Sequence, residues 1–227
     1  MMATQATQPI SIETGNDQTV SGLLTLPRSV RWLVVLAHGA GAGMTHPFMT
    51  QVADGLAARG VGCLRYQFRY MEAGSKRPDP PAVAHAIVRS AVAAASRLAP
   101  GVALVAGGKS FGGRMTSQAA AEAGLPNVRG LVFLGFPLHP AGKPSVSRAE
   151  HLERVGVPML FLQGARDALA DLDLLRPIVA RIGAALVVSE GADHGFHVPK
   201  RSGRTDAQVL DAALDALVSW LDGLPPA

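Results

Sequence analysis

The sequence predicts an α/β fold whose sheet is mostly parallel and doubly wound, with an antiparallel N-terminal edge. Three observations lead there. Short apolar runs alternate with longer amphipathic segments, the order that arises when helices cross over between parallel strands. The runs are apolar throughout rather than alternating, as in strands buried on both faces. One of them, Val102 to Ala106, leads directly into a G-x-S-x-G pentapeptide and then a helix-like stretch from Phe111 to Ala123.

Taken in order, Pro9 to Glu13 and Val20 to Leu26 alternate in polarity and form the antiparallel edge. Trp32 to Ala37 is the first buried strand. Pro47 to Arg59 reads as a helix, opened by proline and closed at Gly60. Val61 to Tyr66 follows as a strand, then a helix from Pro80 to Leu98, capped by Asp79 and stopped before Pro100. Strands recur at Val102 to Ala106, Val128 to Leu134, Pro158 to Leu162 and Ala185 to Ser189. Between Gly135 and Gly156 there is room only for a loop and one short helix. Pro177 interrupts Asp171 to Ile182, so that helix should be broken or start late. At the C-terminus Thr205 and Gln208 form a capping box. Behind it Val209, Leu210, Ala213, Leu214, Leu217, Val218 and Leu221 share one helical face, which should pack on the sheet.

Composition narrows the class. A chain of 227 residues, 48% hydrophobic and 17% charged, suits one globular domain over residues 1–227, with residues 1–8 flexible. A formal net charge of +4 is spread over scattered basic residues, so no nucleic-acid partner is expected. The single cysteine, Cys63, lies within an apolar run and reads as a core thiol. Met1 to Pro9 lacks the basic start and apolar stretch of a secretory signal, and no run approaches a membrane span. A soluble, cytoplasmic protein without membrane contact is the expectation; a homodimer stays open.

The pentapeptide Gly108-Lys109-Ser110-Phe111-Gly112 could arise by chance in a chain rich in glycine and serine, but its place between strand and helix argues for function. A serine at the tip of such a turn has an exposed hydroxyl beside the free N–H groups of the new helix. To act as a nucleophile it needs a base, and the base needs an acid. Both follow in the chain, each just after a strand: Asp167, then His194. Asp171 and Asp173 compete for the acid role and His197 for the base, but they lie farther from the strand ends. Two backbone donors could hold the oxyanion, at roughly 3 kcal/mol each. They are the N–H of Phe111 and that of Ala40, in the glycine loop His38-Gly39-Ala40-Gly41-Ala42-Gly43. His38 reads as a structural residue of that loop.

Other chemistries fit less well. A phosphate loop of the form G-x-x-x-x-G-K-S needs glycine at 103, where the chain has alanine, and the seven histidines include no H-E-x-x-H. No cofactor and no metal are expected.

Together the elbow, the glycine loop, the acid and the histidine resemble the α/β-hydrolase superfamily over nearly the whole chain. His38-Gly39-Ala40-Gly41, Phe68-Arg69-Tyr70-Met71-Glu72, Gly108 to Arg114 and Gly135-Phe136-Pro137-Leu138-His139-Pro140 look like its small dienelactone-hydrolase-like group. That group includes an NSL histone-acetyltransferase complex subunit and testis-expressed relatives. The resemblance implies an α/β-hydrolase fold and, by motif position, the triad Ser110, Asp167, His194. Larger members insert a cap domain where this chain has Gly135 to Gly156, so no large cap domain is expected and the pocket should be open. Its walls would be Gly39, Met44, Phe111, Phe136, Leu138, His139, Phe196 and the loop from Phe68 to Arg77, with Arg69 facing a substrate carboxylate or anchoring the loop. The activity implied is hydrolysis of a carboxylic ester or thioester of a small acyl substrate, with water as the second reactant. A non-catalytic binding or scaffold protein on the same fold, or a peptidase, are the alternatives.

Overall fold

The computed structural model describes residues 7–15 and 17–224. Eight strands form one sheet: β1 (Gln8–Gly15), β2 (Gln18–Thr25), β3 (Trp32–Ala37), β4 (Gly62–Tyr66), β5 (Ala103–Lys109), β6 (Val128–Leu134), β7 (Met159–Gly164) and β8 (Ala185–Ser189). Their order is β1-β2-β4-β3-β5-β6-β7-β8. β1 and β2 pair antiparallel, β2 pairs antiparallel with β4, and every pairing from β4 to β8 is parallel. The antiparallel N-terminal edge is therefore present. Gln8 already pairs with Leu24, so residue 8 is part of the sheet rather than a flexible lead; residues 1–6 of that expectation lie outside the described residues.

Among the described residues six α-helices flank the sheet: α1 (Pro47–Ala58), α2 (Arg69–Glu72), α3 (Pro81–Leu98), α4 (Phe111–Ala123), α5 (Leu172–Arg181) and α6 (Asp206–Asp222). Two apolar layers result. Ile87, Ala91, Met115, Leu175 and Ile178, from α3, α4 and α5, pack on one face with Leu33, Val35 and Phe133. Val52, Leu56, Leu214 and Leu217, from α1 and α6, pack on the other with Val34, Leu36 and Val132. Adjacent residues of one strand thus feed opposite layers, which is why these strands are apolar at most positions rather than alternating. β8 departs from that reading: it is the sheet's open edge, and Ala185 to Val188 are only partly buried.

Two local expectations are corrected. Asp79 does not cap α3; the N-cap is Pro80, and the Asp79 carboxylate instead accepts from the N–H of Tyr70. α5 runs through Pro177 without a break. Burial of Leu175, Ile178 and Val179 against the core fastens the turns on both sides of the proline and outweighs the hydrogen bond it forgoes. The capping box at α6 forms as the spacing predicts. Between β6 and β7 the chain makes only loops and a short 3-10 helix, Ser147–Arg154, so no large cap covers the sheet.

The winding direction reverses between β3, whose successor β4 lies to one side, and β5, whose successors lie to the other. Open α/β sheets bind ligands at the carboxyl ends of strands at such a point. The glycine loop leaves β3 there and the G-x-S-x-G turn leaves β5.

Candidate active site

Ser110 occupies the turn between β5 and α4 with φ 49° and ψ −115°, a backbone conformation strained for any residue with a side chain. The surrounding structure enforces it. A Cβ at Gly108 would lie 2.3 Å from the Ala37 carbonyl oxygen, and one at Gly112 would lie 2.5 Å from that of His38. Only glycine at both positions lets α4 fold back against β3 and β5 tightly enough to lift Ser110 from the turn.

Ser110 Oγ lies 2.9 Å from His194 Nε2, and His194 Nδ1 lies 2.7 Å from Asp167 Oδ2. Nδ1 therefore donates to the carboxylate, leaving Nε2 to accept the serine hydroxyl. The Asp167 side chain is wholly buried, whereas Ser110 and His194 are partly exposed. The carboxylate is held by three donors: Gln163 Nε2 and His194 Nδ1 on Oδ2, and the Leu169 N–H on Oδ1. The rivals fall elsewhere. Asp171 caps α5, Asp173 donates its N–H to that cap, and the ring of His197 pairs with exposed Asp206 at the start of α6.

Four further contacts fix the histidine loop. The Asp193 carboxylate accepts from the N–H groups of Gly195 and His197. Lys109 Nζ donates to the His194 carbonyl oxygen. Phe196, with φ 64°, packs against Phe48 beneath the loop.

On the β3 side, His38 is buried and structural. Its Nδ1 donates to the Gly39 carbonyl and its Nε2 accepts from the N–H of Phe68, while burial lowers its pKa and keeps the ring neutral. Tyr70 Oη accepts from the N–H of Gly41, tying the loop to α2. The N–H groups of Ala40 and Phe111 have no protein acceptor among the described residues. Ala40 is exposed, and Gly39 lies against Lys109 and Ser110.

Several expected pocket walls are core residues instead. Phe136 is fully buried against Phe133 and Phe161, and Leu138 and Phe196 are also sealed from solvent. His139 is used up in holding two loops, its Nδ1 donating to the Pro140 carbonyl and its Nε2 accepting from the N–H of Asp171. Met44 is buried beneath the glycine loop, its N–H donating to Gln67 Oε1. Phe111 stays partly exposed and packs edge-on to Phe68 and Tyr70. Beside them a groove of about 630 Å³ is lined by Arg69, Tyr70, Ser75, Arg77 and Asp79. The Glu72 carboxylate accepts from the N–H of Ser21, which ties α2 to β2.

A second serine–histidine contact, Ser117 Oγ to His151 Nε2 at 2.7 Å, lies between α4 and the 3-10 helix. It has neither an exposed hydroxyl nor a carboxylate on the imidazole among the described residues. Gln163 is the contributor that sequence reasoning missed; its signal was a polar residue, fully buried, near the end of an otherwise apolar strand. No cluster of three or more metal-ligating side chains occurs among the described residues, and none of their helices is long and apolar enough to cross a membrane.

Residues 30–222 match a family model described as an alpha/beta hydrolase domain. Among solved structures, a dienelactone hydrolase from Anabaena variabilis superposes with a TM-score of 0.76 at 19% identity, over 99% of this chain and 100% of that one. XC6422 from Xanthomonas campestris, described as an α/β serine hydrolase without a lid, gives 0.73 at 20% identity over 99% and 98%. An α/β serine hydrolase homologue from Coxiella burnetii gives 0.73 at 20% identity over 92% and 97%. At these identities the likeness is one of fold.

Proposed function

The chain belongs to the alpha/beta-hydrolase family, and on that premise we propose that it is a serine hydrolase cleaving carboxylic esters or thioesters of small acyl groups through an acyl-enzyme. The hydrogen-bonded series from Ser110 through His194 to buried Asp167 carries this reading. Ser110 Oγ attacks the carbonyl carbon as His194 Nε2 takes its proton, and Asp167 stabilises the imidazolium that forms. The oxyanion is met by the N–H groups of Ala40 and Phe111, which have no protein acceptor among the described residues. The imidazolium then protonates the leaving alcohol or thiol. Water, deprotonated by His194, hydrolyses the acyl-serine and restores the enzyme.

The partly exposed serine and the absence of a large cap support a small substrate that reaches the site from an open face. Hydrolysis of p-nitrophenyl acetate, butyrate and octanoate, with the matching thioesters, tests the reading. A rate that falls with chain length and vanishes in S110A supports it; no turnover of any of them refutes it.

A further inference from the structure

Two consecutive residues of the elbow grip one residue of the histidine loop. Ser110 Oγ meets the His194 ring, and Lys109 Nζ donates to the His194 carbonyl oxygen. We propose that Lys109 is a positioning residue whose positive charge holds His194 against Ser110, so that turnover falls when this charge is lost. The inference rests on the serine-hydrolase reading above.

The Lys109 stem runs along Gly39, where a Cβ would lie 3.5 Å from Cγ, so its methylenes support the glycine loop. Its ammonium lies 5.6 Å from the Phe48 ring centroid and 5.7 Å from that of Phe196. A Cβ at Gly135 would come 2.8 Å from Nζ and 3.3 Å from His194 Nδ1, so ammonium and imidazole border the same small space. α1 brings Phe48, the glycine loop brings Gly39, and the turn after β6 brings Gly135, none of them charged. The loops after β7 and β8 bring Asp167 and Asp193, which attract the ammonium at longer range, and the imidazole of His194. Among the described residues Lys109 makes no ion pair, and its only acceptor is the His194 carbonyl.

A partly buried ammonium with one acceptor destabilises the fold relative to an apolar side chain of the same length. Burial lowers its pKa to about 8, partly countered by Asp167 and Asp193. Below that pH the charge strengthens both the bond to the carbonyl and the attraction to the two rings; above it the neutral amine holds the loop weakly.

The test compares wild type, K109M and K109R on p-nitrophenyl acetate between pH 6 and 10, with melting temperatures at pH 7. Wild-type kcat should fall along an alkaline limb near pH 8. In K109M, kcat at pH 7 should drop about 10- to 100-fold, with KM within about twofold, because a small displacement of the base penalises chemistry more than binding. Its melting temperature should equal or exceed that of wild type, whereas a purely structural lysine would lose stability on replacement. K109R, which cannot deprotonate in this range, should lack the limb near pH 8. Wild-type kcat in K109M, or a wild-type profile flat from pH 7 to 10, overturns the inference even if a variant fails to fold. Wild-type protein inert toward every ester overturns the hydrolase reading, and this inference with it.

Discussion

Gln163 Nε2 donates to Asp167 Oδ2 across 2.5 Å, in a shell closed to solvent, on the same oxygen that receives His194. The orientation of the amide is not free. Its Oε1 accepts from the N–H of Phe136, so the NH₂ group must face the carboxylate. One side chain thereby ties the ends of β6 and β7 together and aims the acid at the histidine.

Replacing Gln163 by leucine should lower kcat by about 10- to 100-fold with little change in KM, because Asp167 loses a donor and its fixed direction. Q163E should be worse in acid. A second carboxylate beside Asp167 disfavours ionisation of the pair, so the acid limb of the kcat/KM profile should move to higher pH. An unchanged profile in both variants would remove Gln163 from the site's support.

Gly112 lies in the first turn of α4, where alanine would ordinarily stabilise a helix by about 1 kcal/mol. Here the added methyl would lie 2.5 Å from the His38 carbonyl oxygen and 2.7 Å from the Ala37 carbonyl carbon. The sign should reverse, with G112A destabilising by about 2–4 kcal/mol in urea unfolding. A neutral or stabilising result would mean that α4 does not press against β3 as described.

His151 links stability to pH. Burial, with Arg154, Arg114 and His85 nearby, lowers its pKa to about 4 from 6.5. The unfolded chain then takes up this proton first, so the contribution is lost as pH falls from about 6.5 through 4. H151Q keeps a polar partner for Ser117 but has no proton to gain. Between pH 7 and 4 it should lose less stability than wild type, by on the order of 2 kcal/mol. Equal losses in urea melts across that range would contradict the buried, neutral histidine.

Much of the fold was legible because the parallel strands are predominantly apolar: Trp32 to Ala37 and Val128 to Leu134 carry their own boundaries, as does Ala185 to Ser189 although it forms the partly buried edge. That Ser110, Asp167 and His194 would meet was legible because each lies in the loop that follows a strand and the sheet aligns those ends. Which side chains face solvent was not. After Gly135, with φ 70°, the chain turns Phe136 into the core and engages His139 between loops, and neither outcome follows from composition. Asp79 had cap chemistry and cap position, yet the Tyr70 N–H offered it a tertiary partner instead. Lys109 reaches the His194 carbonyl and Gln163 is oriented by the Phe136 N–H, backbone groups brought near only by folding; the four-residue step from Gln163 to Asp167 is in the sequence, but not that the carboxylate turns back onto the amide.

The central claim is that Ser110 is the nucleophile. Incubation with a fluorophosphonate, digestion and mass spectrometry address it directly, with S110A and S117A as parallel samples. A single adduct on Ser110, retained in S117A and absent from a folded S110A, is the predicted result. An adduct that persists in S110A, or no adduct on folded wild-type protein, would contradict it.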